Sequence, residues 1–187
     1  MSYLYFQTVS EMSVGVLSDD FQWIDYGHTK HVRPSQIIHV ELERILTKNS
    51  LELLDLNGVF ACYGPGSYTG IRLSFGIAEI LKLFSVPTFP FYLHEVPSYN
   101  GVKSGSFVSH AFKGENFVYS WDEAKSSINL VKGDYKSGEY FTIEKTFEMI
   151  AENSKNVFPR IFAQEISREP FYYRKVEDEY KLRKRGE

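Results

Sequence analysis

The sequence has a single cysteine, Cys62, so no disulfide can close within the chain and no thiolate metal cluster can form. Its five histidines, His28, His31, His39, His94 and His110, show no HExxH-type spacing, so no zinc motif is present. No apolar run is long enough to span a bilayer as a helix. The opening MSYLYFQTVSEMS has neither a basic leader nor an apolar signal core. The chain is therefore expected in the cytoplasm, with no membrane role. A large excess of one sign of charge is also lacking, the net formal charge being -3. A domain that holds nucleic acid on its own is usually basic, so the composition argues against strong independent binding.

Aromatic residues are plentiful. They make up 16% of the 187 residues, which points to packed sheets or an aromatic contact surface. Three β-like runs come first: YLYFQTVS (3–10), MSVGVLSDD (12–20) and FQWIDYGH (21–28), with polar breaks where turns belong. Pro34 opens PSQIIHVELERILTK, in which Ile38, Leu42, Ile45 and Leu46 share one helical face. After the linker LELLDLN come the strand GVFACYG (58–64), a helix over about 69–84 and the strand VPTFPFY (86–92). The second half repeats this plan. SGSFVSHAF, ENFVYSWDE and SSINLVKG read as strands, 141–153 as a helix and NVFPRIFA (156–163) as a closing strand. A duplicated α/β unit follows, divided near SYNGVKSG (98–105). A single irregular α/β domain is the alternative.

Between strand and helix lies GPGSYTG, comprising Gly64, Pro65, Gly66, Ser67, Tyr68, Thr69 and Gly70. Glycine-rich turns before helices can bind anions on the free N–H groups of the first turn. The P-loop lysine is absent, however, and the dinucleotide spacing is missed by one residue. A tight turn with Ser67 or Thr69 as the helix N-cap explains the motif better. The helix behind it carries Arg72, Glu79 and Lys82 in one narrow stripe and is apolar around most of the rest. A surface helix needs an apolar arc of only ~100°, and this one covers about twice that. It is therefore expected to be buried on two sides, one by its own sheet and the other by a further element or a partner. Gly76 would let another helix approach closely.

GPGSYTGIRLSFGIAEIL resembles the GPGSFTGLRIG-plus-helix signature of the bacterial TsaB (YeaZ) family. In the same order, HVRPSQIIHVELERIL stands where that family has its first long helix. HAFKGENFVY (110–119) resembles its DARKGEVY run, and EPFYYRK (169–175) its EPxYLR. The resemblance touches nearly the whole chain. It implies an α/β protein of the two-lobed actin-like ATPase superfold. Residues 1–100 would form the first lobe, and 101–187 a shortened second lobe with a C-terminal tail. It also implies a non-catalytic scaffold. Such a subunit dimerises with a TsaD-like catalytic subunit and works with a TsaE-like ATPase to threonylcarbamoylate adenosine 37 of tRNA. tRNA would be met only through that complex, ATP or ADP would belong to the assembly rather than to this chain alone, and the chain would carry no metal. The docking helices would be 34–47 and 69–84. Ile38, Leu42 and Ile45 would face the partner from the first. Arg72, Leu73, Phe75, Gly76, Glu79 and Ile80 would face it from the second. Without the partner, the same helices could close a homodimer.

The departures from the family pattern strengthen the non-catalytic reading. Gln7-Thr8 stands where the family has Asp-Thr, and Gln cannot supply the anionic oxygens that a magnesium-nucleotide site prefers. His110 and Phe112 replace the Asp and Arg of DARKGE, while Lys113, Gly114 and Glu115 remain. Cys62 reads as a packed small hydrophobe, Ser67 lacks the GxSxG elbow of hydrolases, and nothing pairs His110 with a nucleophile. From Arg174 onward six basic and four acidic side chains mix, so Lys181, Arg183, Lys184 and Arg185 read as a solvated tail. The rival reading is a nucleotide-binding protein or kinase relic of the same superfold acting as a homodimer.

Overall fold

The structure is a computed structural model and describes residues 2–30, 33–111, 114–133, 135, 140–164 and 167–173. The basic tail residues Lys181, Arg183, Lys184 and Arg185, and Phe112 and Lys113 of the family-like run, lie outside the described residues.

The first half builds one five-stranded sheet. Its strands are β1 (Ser2–Gln7), β2 (Met12–Ser18), β3 (Trp23–Thr29), β4 (Leu56–Cys62) and β5 (Thr88–Phe91), in the order β3-β2-β1-β4-β5. The first three form an antiparallel meander, while β1, β4 and β5 run parallel. Parallel neighbours need crossovers, which α1 (Pro34–Lys48) and α2 (Tyr68–Leu83) provide. The alternation of a strand sorts its side chains to two faces. Leu4 and Phe6 of β1, with Val59 and Ala61 of β4, pack with Ile38 and Ile45 of α1 and with Ala78 and Leu81 of α2. Tyr3, Tyr5, Phe60 and Cys62 point the other way, into an aromatic cluster.

That second face is covered by helices from the far half of the chain, α4 (Ile143–Glu152) and α5 (Ser154–Phe162). The ring of Phe158 lies 4.8 Å from that of Phe60 and 5.6 Å from that of Tyr5. The short helix α3 (Val96–Tyr99) leads to a second, three-stranded antiparallel sheet. Its strands are β6 (Gly105–His110), β7 (Glu115–Trp121) and β8 (Ser126–Lys132), in that order. Phe107 and Phe117 of this sheet join the same aromatic cluster.

One expectation is corrected here. Residues 156–163 do not form a closing strand, because Ser154–Phe162 is helical and its buried Val157, Phe158 and Ile161 recur at helical spacing. Pro159 inside the helix, together with the aromatic, branched composition, makes the run look strand-like. A proline there costs about 3 kcal/mol, which burial of Phe158 and Ile161 under the sheet offsets. The repeat is therefore incomplete among the described residues. What stands in for the parallel fourth strand is a single bridge, Phe107 to Phe141, with Val108 N–H donating to Phe141 O and Phe141 N–H to Ser106 O, both at 2.8 Å. The second half is reduced relative to the first in this way.

Candidate functional site

The GPGSYTG turn sits at the carboxyl end of β4 and is held from two sides. On one side is the turn between β1 and β2. Ser67 N–H donates to Val9 O at 2.6 Å, and Thr8 Oγ1 donates to Gly70 O at 2.7 Å. Thr8 Oγ1 also lies 2.9 Å from Ser74 Oγ. The single Thr8 proton goes to the carbonyl, so Ser74 is the donor in the second bond. The backbones approach so closely that a Cβ on Gly66 would stand 2.3 Å from Val9 O, and one on Gly70 1.9 Å from Thr8 O. Ser67 is the N-cap of α2, its hydroxyl accepting from Gly70 N–H at 3.1 Å. Gly64, at φ +114, takes a left-handed conformation that favours glycine.

On the other side runs the segment 168–173. Phe171 N–H donates to Tyr63 O at 2.8 Å, and the Tyr92 hydroxyl donates to Glu169 O at 2.7 Å. The Tyr173 hydroxyl meets Ser109 Oγ of β6 at 2.8 Å. The side chain of Arg168, only 7% exposed, pairs with Glu95 at 2.8 Å and caps the Tyr92 ring at 4.7 Å. Burial alone would lower the Arg168 pKa, but Glu95 outweighs it and the net shift is upward. Arg168→Met is expected to cost about 2–3 kcal/mol in urea unfolding, somewhat below a fully buried pair because Glu95 keeps some solvent.

His94 lies at the centre of this crossing, 5% exposed, with its ring among those of Tyr92, Phe117, Tyr119 and Phe171. Its Nδ1 has no hydrogen-bond partner. Burial, and secondarily the Arg168 charge, push its pKa down to about 3. The folded chain thus keeps His94 neutral. Below the unfolded pKa of about 6.5, only the unfolded chain takes up that proton, so stability falls by ~1.4 kcal/mol per pH unit. The loss continues until the pH approaches the folded value of about 3. Chemical denaturation at pH 7 and 4.5 should show His94→Phe losing about 2–3 kcal/mol less than the parent over that interval.

Gln7 and the polar residues beside it are engaged with one another. Gln7, fully buried, donates from Nε2 to Ser13 Oγ at 3.1 Å and accepts Val9 N–H at 3.2 Å. Ser13 Oγ in turn contacts His28 Nδ1 at 2.8 Å, and His28 Nε2 meets Glu11 at 2.6 Å. No group of three His, Cys, Asp or Glu side chains among the described residues could hold a metal ion. Cys62 is buried, and burial raises its thiol pKa to about 12. His110 is exposed and lies 3.4 Å from Asn116.

The residues expected to face a partner separate into three groups. Ile38 and Ile45 are 3% and 0% exposed, lying inside the chain's own core, so they support α1 from behind. Leu42, Leu73 and Phe75 are half-buried, with Phe75 set edge-on to Tyr63 at 5.4 Å. Along the outer side of α2 run Arg72, Gly76, Glu79 and Ile80. Ile80 is 55% exposed, and Arg72 lies 4.3 Å over the Tyr68 ring. A Cβ on Gly76 would have nothing within 4 Å. Three exposed apolar residues, not singled out in the sequence, extend this side. They are Leu83 (84%) and Phe84 (59%) at the end of α2, and Val40 (50%) on the neighbouring α1.

A five-stranded sheet ordered 3-2-1-4-5 with crossover helices, beside a smaller three-stranded meander sheet, defines a mixed α/β protein. By local sequence and by fold, the chain is TsaB/YeaZ-like. It is 33% identical over 69 residues to the tRNA threonylcarbamoyladenosine biosynthesis protein TsaB of Escherichia coli (strain K12), covering 37% of this chain and 27% of that protein. It is 43% identical over 49 residues to the TsaB of Buchnera aphidicola subsp. Schizaphis graminum (strain Sg), covering 26% and 23%. Each match thus spans about a quarter of its curated relative's length. No family model matches the chain. Among solved structures, an uncharacterized protein with similarity to peptidase YEAZ from Pseudomonas aeruginosa superposes with a TM-score of 0.64 at 15% identity, over 92% of this chain and 99% of that one. YeaZ from Pseudomonas aeruginosa superposes at 0.55 and 16%, over 76% and 75%. These likenesses establish the fold. No helix among the described residues is long and apolar enough to cross a membrane.

Proposed function

We propose that this chain is a non-catalytic accessory subunit of tRNA threonylcarbamoyladenosine biosynthesis, docking on a TsaD-like catalytic subunit through the outer face of α1 and α2. The observation that carries the reading is the exposed apolar row Ile80, Leu83 and Phe84 on α2, with the open notch at Gly76 on the same helix and Val40 exposed on α1. Water-facing leucine and phenylalanine at the end of an ordered helix are what a helix-on-helix interface needs. The notch would admit a side chain from the partner. A TsaE-like ATPase would join the assembly, tRNA would be met through the complex, and any ATP or ADP would be held by that complex. The internal hydrogen bonding of Gln7, Thr8 and Ser67 supports assigning nucleotide chemistry elsewhere.

The test is co-expression with the TsaD-like subunit of the same genome, followed by size-exclusion chromatography with light scattering. A one-to-one complex is expected. A stable monomer beside an unbound partner would sink the reading. The same exposed row favours a second mode, a homodimer when the partner is absent, so the two complexes should compete. Calorimetry of the isolated chain with magnesium and ATP addresses the rival reading, and no heat of binding is expected.

Alanine at Gly76 adds to this test. An unstrained helical Gly→Ala change stabilises by up to ~1 kcal/mol, and space is free here. The isolated chain should therefore melt higher, while the filled notch weakens the complex.

A further inference from the structure

We infer that the segment 168–173 is a clasp that holds the start of the docking helix, with Phe171 as its positioning residue. The inference rests on the docking role proposed above. The carboxyl ends of parallel strands are where open α/β sheets ordinarily seat ligands. Here the chain's own segment crosses that place. It is tied to Tyr63 just beyond β4 and to Tyr92 just beyond β5. It also joins the two sheets, because Tyr173 bonds Ser109 of β6 and the Phe171 ring lies 5.2 Å from that of Phe117 on β7.

The segment touches the first residues of α2 by two routes. Tyr172 packs on Tyr68, the first residue of the helix, with ring centroids 5.0 Å apart. The second route runs through the turn: a Cβ on Gly64 would stand 3.1 Å from Ile71 Cδ1 and 3.2 Å from Phe171 Cβ, so Ile71 of the helix and Phe171 of the segment crowd the same side of Gly64. The turn's other side is braced by Thr8 and Val9. Release of the clasp would leave α2 held at its start from one side only. The expected effect is local fraying of the first helical turn, not global unfolding.

The experiment combines hydrogen exchange with partner binding. Phe171→Ala should speed amide exchange at residues 70–73 about tenfold, with Phe171→Leu restoring most of the protection. Val157→Ala, a destabilising change under the sheet, should leave that local exchange near the parent's. Affinity for the catalytic subunit should fall about tenfold in Phe171→Ala, since a frayed docking helix must be ordered on binding. If Phe171→Ala does not fold, Tyr172→Ala cuts the contact with Tyr68 at a half-exposed site and is expected to give the same local signature. Unchanged exchange at 70–73 in a folded variant overturns the clasp. Faster exchange with unaltered affinity overturns its link to docking. Normal binding by a chain carrying Ile80→Lys and Leu83→Lys would refute the docking face itself, and the exchange result would still judge the clasp.

Discussion

Gly70→Ala is expected to destabilise the chain by about 3 kcal/mol, the upper range for forcing atoms into a packed site. The added carbon would stand 1.9 Å from a backbone oxygen, that of Thr8, which cannot rotate away as a side-chain end could. Relief requires the β1–β2 turn to move. That movement would break the bond from Thr8 Oγ1 to Gly70 O and the bond from Ser67 N–H to Val9 O. Urea unfolding measures the loss directly. The control is Gly76→Ala, six residues along the same helix and expected to have the opposite sign. If the two alanines behave alike, helix propensity alone governs both and the close packing of the turn is not limiting.

A paired change on the outer face of α2, Ile80→Lys with Leu83→Lys, is expected to weaken the proposed complex by about a thousandfold, from ~2 kcal/mol at each central apolar contact. Both side chains are mostly in water in the isolated chain, at 55% and 84% exposure, so its own stability should change by under about 0.5 kcal/mol. Lysine suits the end of a helix, where cations are favoured, so charge placement does not confound the result. Phe75 is a poorer position for such a test. Its ring lies edge-on to Tyr63, and a charge there would disturb the monomer as well as any partner contact. Titration of the catalytic subunit, followed by light scattering or calorimetry, reads the effect. Retention of full affinity would remove the docking face from consideration.

The fold was legible where local pattern and burial agree. The meander of β1 to β3 follows from β-forming composition and polar turns, and a helix N-cap at Ser67 or Thr69 follows from hydroxyls placed before an apolar helical run, of which the structure takes Ser67. The strand expected at 156–163 failed because its proline and β-branched residues outweighed, in the pattern, a spacing that only burial against Phe60 and Tyr5 makes decisive. On α1, an apolar face was visible, but nothing local tells which body covers it. Ile38 and Ile45 face their own sheet. The exposed end of α2 was missed for the related reason that Leu83 and Phe84 look like any helix terminus in sequence. The clasp had the least local signal. Glu95 and Arg168 stand 73 positions apart, and the motif EPFYY carries no periodicity from which its crossing could be read. A better clue lay in the three glycines of GPGSYTG. Only close backbone approach or a left-handed turn requires so many, and Gly70, inside the helix, most plainly signals a neighbour pressed against it.

The aromatic cluster beneath the first sheet takes side chains from both halves of the sequence. Phe60 and Tyr5 meet Phe158, and Phe107 and Phe117 belong to the same packed group. Enzymes of two-lobed design usually close over a substrate by bending between lobes, and such bending needs an interface that can part at small cost. Parting this one would expose several fully buried rings at once. The packed core that the two halves share is therefore built to stay together, and its thermal unfolding should follow a single cooperative transition. A fold that stays together offers a partner a surface already formed, with little left to be ordered at the moment of contact.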